Sequence, residues 1–394
     1  MPETYDVIIA GLGAMGSAAA YQLAAGGRRV LGFDRFHPPH TFGSSHGLTR
    51  IIREAYFEHP IYVPLVQRAY GLWAELEKKS GRQLLLPTGG LMIGPRDGVV
   101  CGGAERSALE HHLAHKILFA DEVRRQFPAY APTENMSAVW EPRAGILFPE
   151  LCVQTHLELA AELGAKLRFN EPVLKWEPHG SGTRVFTDSG THEAKRLLLS
   201  AGAWMSSLSG VEMDSSRGAR ISASERMPLR VERQVLYWFK PRTDDKRFTP
   251  ARCPISLWEY GPRQYFYTFP DIGDGVKIAL HHQGEITSAG SVRREVEASE
   301  IENVRALLNR FLPGADGSLR SSTVCLYTNT PDEHFVLDWH PHCPSVFVAS
   351  PCSGHGFKFA SAVGEVAAAR LCDEPVPLDL SLFRYARFGE SSSG

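Results

Sequence analysis

Apolar and polar positions near the amino terminus follow the order strand, glycine turn, helix, strand. An unbroken apolar run from Val7 to Ala10 predicts a strand that is covered on both faces. The segment GLGAMG follows, and the small residues after it predict a helix that ends at Gly26 and Gly27. The stretch RRVLGFD then predicts a second strand ending at Asp34. This order is typical of a parallel α/β unit.

Further along the chain, the apolar period changes from helical to alternating. The stretch IYVPLVQRAYGLWAELEKKSG predicts an amphipathic helix that ends at Gly81. Between residues 216 and 324, the short aromatic-rich segments RQVLYWFK, ISLWEY, QYFYTFP and GVKIALHH predict an antiparallel sheet. The chain then returns to the order strand, glycine loop, helix: SVFVAS predicts the strand, and a helix of small residues follows the loop. The protein is therefore predicted to interleave two domains.

The glycines after the first strand have the spacing GxGxxG, and each has a chemical use. Gly11 permits a tight turn, Gly13 lets the backbone approach a pyrophosphate, and Gly16 allows close packing of helix on strand. The helix N-terminus offers N–H groups to phosphates, and Asp34 can accept a hydrogen bond from a ribose hydroxyl. The pattern predicts a Rossmann-like dinucleotide site and leaves NAD and FAD open.

Two segments near the carboxyl end carry further candidate chemistry. In CLYTNTPDEHF, Cys325 can be a metal ligand, a nucleophile, half of a disulfide or a cofactor anchor. In CSGHGFKF, the backbone N–H groups of a glycine loop can face a ring or phosphate, or the loop can be a simple strand-to-helix turn. Lys358 inside that loop favours the functional interpretation.

Composition narrows the class of protein. The chain has 394 residues and a formal net charge of −2, which offers no field for nucleic acid. No apolar run approaches the ~18 residues of a membrane span, and no basic stretch precedes the first apolar run. Seven scattered cysteines without CxxC argue against a disulfide framework or a zinc knuckle. We expect a cytoplasmic protein with no membrane, nucleic-acid or metal partner.

GxGxxG with Asp34, HGLTRIIREAY, GVKIALHHQG, CLYTNTPDEHF and SGHGFKF occur in that order, and together they resemble the monomeric sarcosine oxidase and N-methyltryptophan oxidase family. The resemblance extends from about residue 4 to 390. It implies a monomer of α/β class, with a Rossmann-like FAD-binding domain interleaved with a mostly antiparallel substrate domain. The expected FAD-binding domain comprises residues 1–88, 147–215 and 325–394, and the substrate domain comprises 89–146 and 216–324.

The same resemblance implies a reaction. A secondary amino acid, N-methyl or cyclic, is oxidised at its C–N bond to an imine that hydrolyses, and O2 becomes hydrogen peroxide. FAD is expected to be covalently attached to Cys325, with Cys352 in the glycine loop as a rival. Arg53 and Lys358 are expected to bind the substrate carboxylate, with Tyr327 closing the pocket.

The resemblance also assigns catalytic positions. These are Lys277, Arg50, His281 and Tyr267, with Lys277 serving the reaction with oxygen. Strand alternation independently predicts that Lys277 and His281 share a face. Arg50 and Arg53 would share a face if their segment were helical. The expected cofactor-binding residues are Gly11, Gly13, Ala14, Met15, Gly16, Asp34, Arg35, Gly43, Ser44, His46, Thr49, Arg50, Val173, Ala201, Gly202, Cys325, Gly354, His355, Gly356, Phe357 and Lys358.

Some positions depart from the family pattern and leave the substrate open. Leu48 replaces a common aspartate, Glu54 replaces a frequent histidine, and Phe57 and His59 also differ. Sarcosine, N-methyltryptophan, pipecolate and fructosyl amino acids all remain candidates. Two other functions stay open: an NAD-dependent dehydrogenase, which rests on GxGxxG alone, and a non-catalytic FAD-binding protein.

Overall fold

Two large β-sheets and a small one organise the protein. The structure is a computed structural model and describes residues 4–209, 227–242, 246–350 and 353–388. Within these ranges the strands are β1 (Thr4–Ala10), β2 (Val30–Phe33), β3 (Arg50–Ile52), β4 (Leu85–Pro87), β5 (Gly90–Pro95), β6 (Lys116–Phe119), β7 (Met136–Glu141), β8 (Gly145–Leu147), β9 (Lys166–Arg168), β10 (Lys175–His179), β11 (Gly182–Thr187), β12 (Gly190–Leu199), β13 (Arg230–Phe239), β14 (Ile255–Gly261), β15 (Gln264–Phe269), β16 (Val276–His281), β17 (Glu285–Thr287), β18 (Leu319–Asn329), β19 (Val336–His340) and β20 (Cys343–Ser350). The helices are α1 (Ala14–Ala25), α2 (Tyr62–Ser80), α3 (Val99–Glu110), α4 (Ala120–Gln126), α5 (Pro149–Glu162), α6 (Met205–Leu208), α7 (Ala298–Phe311) and α8 (Ala360–Leu371).

The first sheet has a parallel centre. β1 lies between β12 and β2, and β9 and β20 extend the parallel pairing on either side. Helices α1, α5 and α8 pack together against this sheet. A Cβ on Gly364 would lie 2.6 Å from the Cβ of Ala18, so the small residues of α1 and α8 let the two helices touch. The strand–turn–helix–strand prediction for the amino terminus is confirmed.

The second sheet is almost entirely antiparallel. Its order is β17-β13-β16-β15-β14-β5-β7-β6, β18 also pairs with β13, and only β14 and β5 run parallel. One face packs on α7 through an aromatic cluster around Trp258, Phe266 and Phe311. Val276 and Ile278 belong to that core, whereas Ala279 packs with Cys325 on the opposite face. The predicted alternation along this strand is therefore confirmed.

The segment that begins at Arg50 is a short strand, and Arg53 follows directly after it. β3, which begins at Arg50, pairs with β8 in a small sheet with β4. The helical arrangement considered for Arg50 and Arg53 is therefore wrong, because pairing with a distant strand overrides the local pattern.

Groups of strands from the two large sheets follow one another in turn along the chain. Cys325 lies in β18 and is paired with Gln234, so it belongs to the second sheet although the predicted domain boundary gives it to the first. The exact domain boundaries stay a prediction. Among the described residues, no helix is long and apolar enough to cross a membrane.

Candidate active site

One cleft runs along the carboxyl ends of the first sheet and reaches the second sheet. It encloses about 1780 Å³, including space that is open to solvent. Gly11, Gly13 and Asp34 line one end, and Tyr267 and His281 line the other. The cleft therefore extends from the glycine turn of the first sheet to aromatic and histidine side chains of the second.

The glycine turn fits a phosphate ligand. Gly11 has a φ of +98°, and a Cβ there would lie 2.6 Å from the carbonyl oxygen of Ser200. A Cβ on Gly16 would lie 1.8 Å from the oxygen of Gly11, so both positions need glycine for packing. A Cβ on Gly13 would meet only Ser45 Oγ, at 3.6 Å. Gly13 therefore leaves open space at the start of α1, where the Ala14 N–H donates to Ser45 Oγ at 3.3 Å and Gly13 supplies no side-chain cap. A ligand phosphate can approach the helix N-terminus there.

Asp34 is held rigidly beside this turn. Its carboxylate accepts hydrogen bonds from the N–H groups of Leu12, at 2.8 Å, and Phe36, at 2.9 Å. Burial raises the pKa of Asp34, although both bonds and the neighbouring His40 oppose that shift. The carboxylate still lines the cleft and can accept a further hydrogen bond.

Most of the expected cofactor residues border the cleft, and a few lie behind it. The bordering residues are Gly11, Gly13, Ala14, Met15, Asp34, Arg35, Gly43, Ser44, Arg50, Val173, Ala201, Gly202, Cys325, Gly354, His355, Gly356, Phe357 and Lys358. Gly16, His46 and Thr49 are not part of its lining. Within the described ranges, both ring nitrogens of buried His46 and the hydroxyl of Thr328, a lining residue, have no hydrogen-bond partner. Unsatisfied polar atoms in and beside the wall are consistent with a bound group that completes them.

Cys325 lies in the wall beside the half-buried guanidinium of Arg50. Its Sγ is 3.6 Å from Arg50 Nη2, and the thiol is 3.8 Å from the carbonyl oxygen of Ser44. Arg50 is fixed by hydrogen bonds to the carbonyl oxygens of Thr49, at 2.8 Å, and Ser44, at 2.7 Å. The thiol therefore faces the cleft with a fixed guanidinium beside it. Cys352 lies outside the described residues.

Lys277 is one layer behind the cleft wall. Its ammonium donates to the carbonyl oxygens of Gly47 and Thr49, at 2.7 and 3.0 Å, and to Thr49 Oγ1 at 3.0 Å. Burial holds the pKa of Lys277 well below its usual value, and nearby Arg50 lowers it further. Among the expected catalytic residues, only Lys277 does not line the cleft.

Glu150 holds the other side of the turn that binds Lys277. Its Oε1 accepts hydrogen bonds from the N–H groups of Gly47, at 2.7 Å, and Leu48, at 3.1 Å. Carbonyl groups of the turn therefore face the lysine while its N–H groups face a carboxylate. Sequence reasoning missed Glu150, because its position at the start of α5 carries no local sign of this partner.

Arg53 and Lys358 meet at the other end of the cleft. Buried Arg53 donates from Nη2 to both carboxylate oxygens of Glu58, at 2.9 and 2.7 Å, and from Nη1 to the oxygen of Ala55 at 2.8 Å. Lys358 Nζ donates to the oxygen of His355 at 2.7 Å, and burial lowers the pKa of Lys358 to about 7. Glu58 therefore forms the ion pair with the Arg53 guanidinium. Sequence reasoning missed this residue too.

Three ring side chains complete this end. His281 Nδ1 and the hydroxyl of Tyr327 are 3.1 Å apart, and the ring of Tyr267 packs edge-on to His281. Burial holds the pKa of His281 well below its usual value and raises that of Tyr327 well above. Both groups are therefore neutral near pH 7. A Cβ on Gly354 would lie 2.4 Å from the Tyr327 ring, so the second glycine loop packs directly on this pair.

The positions that depart from the family pattern lie mostly outside the cleft. Glu54 is buried and pairs with Arg143 at 3.0 Å, and His59 and Leu48 are exposed. Phe57 stacks on Arg53, with the guanidinium carbon 4.6 Å from the ring centre. Of these four residues, Phe57 is the one whose side chain packs on an expected substrate-binding residue.

Comparison with known proteins agrees with this geometry. Residues 6–370 match the family described as FAD dependent oxidoreductase. A monomeric sarcosine oxidase from Streptomyces avermitilis is 42% identical over 372 residues, which cover 93% of this chain and 94% of that protein. An N-methyl-L-tryptophan oxidase from Yersinia pestis is 36% identical over 98% of this chain and 99% of its own length.

A solved structure extends the likeness to the fold. The open form of NikD, an unusual amino acid oxidase essential for nikkomycin biosynthesis, superposes with a TM-score of 0.81 at 23% identity, over 97% of each chain. The predicted fold class and family are both confirmed. The chain belongs to the family of FAD-dependent oxidoreductases that includes the monomeric sarcosine oxidases and N-methyl-L-tryptophan oxidases.

Proposed function

We propose that this protein oxidises the C–N bond of a secondary amino acid of the sarcosine type, using O2 as the electron acceptor. The substrate loses two electrons and two protons and becomes an imine, which water hydrolyses; O2 takes up two electrons and two protons as hydrogen peroxide. Bound FAD supplies the two-electron carrier between these half-reactions. The observation that carries the proposal is one cleft that joins the phosphate-binding turn to the buried Arg53 and Lys358.

The substrate carboxylate is proposed to replace Glu58 on Arg53. One guanidinium nitrogen, Nη2, already donates to both carboxylate oxygens of Glu58, and charge-assisted bonds of this kind are the strong ones. A ligand carboxylate can therefore take its place without leaving buried Arg53 unpaired. The same carboxylate would stabilise the protonated form of Lys358. Bound there, the substrate has its amine at the end of the cleft lined by Tyr267, His281 and Tyr327.

Covalent attachment of FAD through Cys325 is part of the proposal. The thiol lies in the cleft wall, 3.6 Å from Nη2 of Arg50. A thioether between Sγ and a flavin methyl carbon would replace one S–H and one C–H bond, and the two electrons released would reduce the flavin, which O2 would then reoxidise. Such a bond would fix the cofactor in the cleft. It would also answer why a cysteine stands at the head of the polar CLYTNTPDEHF segment.

Lys277 is proposed to serve the oxygen half-reaction. The first electron transferred to O2 creates an anion, and a fixed ammonium in a site of low polarity stabilises it. Support comes from the burial of Lys277 and from its three hydrogen bonds to the turn at residues 47–49.

A substrate screen tests the activity. Purified protein would be given sarcosine, N-methyl-L-tryptophan, pipecolate and a fructosyl amino acid, while hydrogen peroxide and O2 uptake are followed. We expect peroxide with an N-alkyl or cyclic amino acid, and none with dimethylamine, which lacks a carboxylate. Preference for the fructosyl compound or for pipecolate would select one of the alternative oxidases. Failure of every substrate to reduce the bound flavin without oxygen would favour the non-catalytic FAD-binding protein.

A monomeric state belongs to the same proposal. Its support is the word monomeric in the names of similar proteins. Light scattering after gel filtration should give about the 43.5 kDa of one chain, whereas twice that mass would contradict it. The expected cytoplasmic location stays a prediction.

A further inference from the structure

A buried carboxylate lies behind the substrate end of the cleft. Glu141 is the last residue of β7 and is 1% exposed. Its Oε1 accepts a hydrogen bond from the N–H of Glu54 at 2.7 Å, and its Oε2 accepts one from the N–H of Ala55 at 2.8 Å. Glu141 itself does not line the cleft. Both of its oxygens therefore serve the backbone that directly follows Arg53.

This backbone connects Glu141 to the guanidinium. Ala55 gives its N–H to Glu141 and accepts a hydrogen bond from Arg53 Nη1, at 2.8 Å, with its carbonyl oxygen. Among the described residues, Arg53 Nη2 donates hydrogen bonds only to Glu58, which is five residues further along and partly exposed. If a ligand displaces Glu58, the contacts on the Ala55 side remain to orient the guanidinium.

We propose that Glu141 is a positioning residue for carboxylate recognition, holding the Glu54–Ala55 backbone so that Arg53 stays aimed into the cleft when Glu58 leaves it. The inference rests on the proposed role of Arg53 as the carboxylate ligand. Replacement of one carboxylate by another at Arg53 leaves the charge near Glu141 unchanged. The ionised form of Glu141 is therefore compatible with both the free and the occupied site.

The charges around Glu141 make this function pH-dependent. Burial raises the pKa of Glu141 to about 7, and the neighbouring Glu54 raises it too, whereas Arg53 and the two backbone hydrogen bonds lower it. Tyr70 and Arg143, which pairs with Glu54, are the other ionisable groups on this side. Below pH 7 the protonated carboxyl would turn an O–H toward one of the two N–H groups and lose that bond. Carboxylate affinity should then fall as the pH falls through about 7.

Lys358 should make carboxylate affinity fall on the alkaline side of the pH profile. Its neighbours are Arg53, Arg50, Glu58, Tyr56 and His355, and burial lowers its pKa to about 7. Lys358 loses its charge as the pH rises, so affinity should also fall on the alkaline side. The bound carboxylate shifts this fall to higher pH, since it favours the ammonium.

The experiment measures binding in the holoenzyme without turnover. Methoxyacetate, in which oxygen replaces the amine of sarcosine, is titrated by calorimetry from pH 5.5 to 9. Glu141→Gln should raise its Kd by at least ~10-fold at pH 8, the scale of a lost hydrogen bond to a charged group. In the variant, affinity should no longer fall as the pH falls below about 7, but it should still fall as the pH rises above about 7. For sarcosine, KM should rise more than kcat falls.

Glu77→Gln is the matched control. Glu77 Oε1 accepts hydrogen bonds from the N–H groups of Leu84, at 2.7 Å, and Leu85, at 2.9 Å, and lies outside the cleft lining. This variant should lose stability but keep the wild-type Kd and pH profile. If Glu141→Gln does not fold, Glu141→Asp keeps an ionisable group and should give a smaller rise in Kd and keep the fall of affinity at acid pH.

Arg53→Ala distinguishes a failure of the proposed carboxylate site from a failure of the positioning role alone. Normal methoxyacetate binding by Arg53→Ala would overturn the proposed carboxylate site itself. Weak binding by Arg53→Ala, combined with wild-type affinity and pH dependence in Glu141→Gln, would overturn the positioning role alone. Equal effects of the Glu141 and Glu77 substitutions would reduce Glu141 to a general stabilising residue, which also contradicts the proposal.

Discussion

At the scale of single residues, three cations of the site differ in burial, since Arg53 and Lys277 are buried and Arg50 is half-buried. Arg50 faces a thiol, Arg53 faces Glu58, and Lys277 donates its hydrogen bonds to oxygen atoms of one turn. A buried charge is costly unless hydrogen bonds or an opposite charge compensate it. These cations therefore persist because the fold supplies fixed acceptors, and each has a distinct partner that a test can remove.

Removal of the Cys325 thiol tests covalent attachment of the cofactor. Cys325→Ala should release all FAD on acid precipitation, whereas the wild type should retain yellow colour in the pellet. Peptide mass spectrometry of the wild type should find the flavin on the peptide that contains Cys325. Cys343→Ala, a buried cysteine on β20, is the control and should keep the bound flavin. Flavin on the peptide containing Cys352 would contradict the assignment.

Removal of the Lys277 charge tests the oxygen half-reaction. Lys277→Met should slow reoxidation of the reduced flavin by O2 by at least ~100-fold, the scale of losing one preorganised charge-stabilising group. Anaerobic reduction by substrate should change much less. Since the pKa of Lys277 is held low, wild-type reoxidation should also slow as the pH rises. Stopped-flow measurement of both half-reactions decides the matter, and equal losses in both would exclude the assigned role.

At the scale of elements, the turn at residues 47–49 links α5 to β16. Glu150 at the start of α5 accepts hydrogen bonds from N–H groups of the turn, and Lys277 on β16 donates hydrogen bonds to its carbonyl oxygens. Gly47 has a φ of +96°, and a Cβ there would lie 2.4 Å from Leu236 Cδ1. The turn therefore needs glycine both for its conformation and for its close packing.

Gly47→Ala should perturb this link, with Gly81→Ala as the matched control. Gly81 also has a positive φ, +69°, but a Cβ there meets nothing within 4 Å. The control should lose only the backbone preference, about 1 kcal/mol of unfolding free energy. Gly47→Ala should lose more and should slow flavin reoxidation. Urea unfolding and stopped-flow traces provide both readouts; normal reoxidation in a folded Gly47→Ala protein would show that Lys277 does not depend on the turn.

At the scale of the whole molecule, the cleft draws its walls from both large sheets. Gly11, Gly13 and Asp34 adjoin strands of the first, and Tyr267 and Cys325 lie on strands of the second. A ligand that contacts both sheets binds only the folded arrangement and stabilises it by mass action.

Thermal unfolding of Cys325→Ala tests this coupling. Without a covalent bond, added FAD should raise its Tm in a concentration-dependent way, by the equivalent of about 2.7 kcal/mol at 100 times the Kd. The wild-type holoenzyme, already saturated, should show no such dependence. Two separate transitions, of which only one responds to FAD, would indicate that the cofactor stabilises one sheet alone.

The sequence alone determined those features whose signal is local. The glycine turn, the helices of small residues and the alternating strands each depend on residues that are close in the chain, so periodicity and turn chemistry predict them. The order of the five quoted segments was enough to indicate the family and the fold class, and both predictions are confirmed.

Tertiary structure alone decided the partners of the charged groups. Glu150 reaches Gly47 across 103 residues, and Glu141 reaches Glu54 across 87. Neither glutamate differs in its local pattern from a surface residue, because a hydrogen bond between distant segments leaves no periodic trace. The strand conformation at Arg50 has the same origin, since its pairing with β8 exists only after the chain has folded. The roles proposed for Arg53 and Lys277 therefore depend on residues that only the folded chain brings beside them.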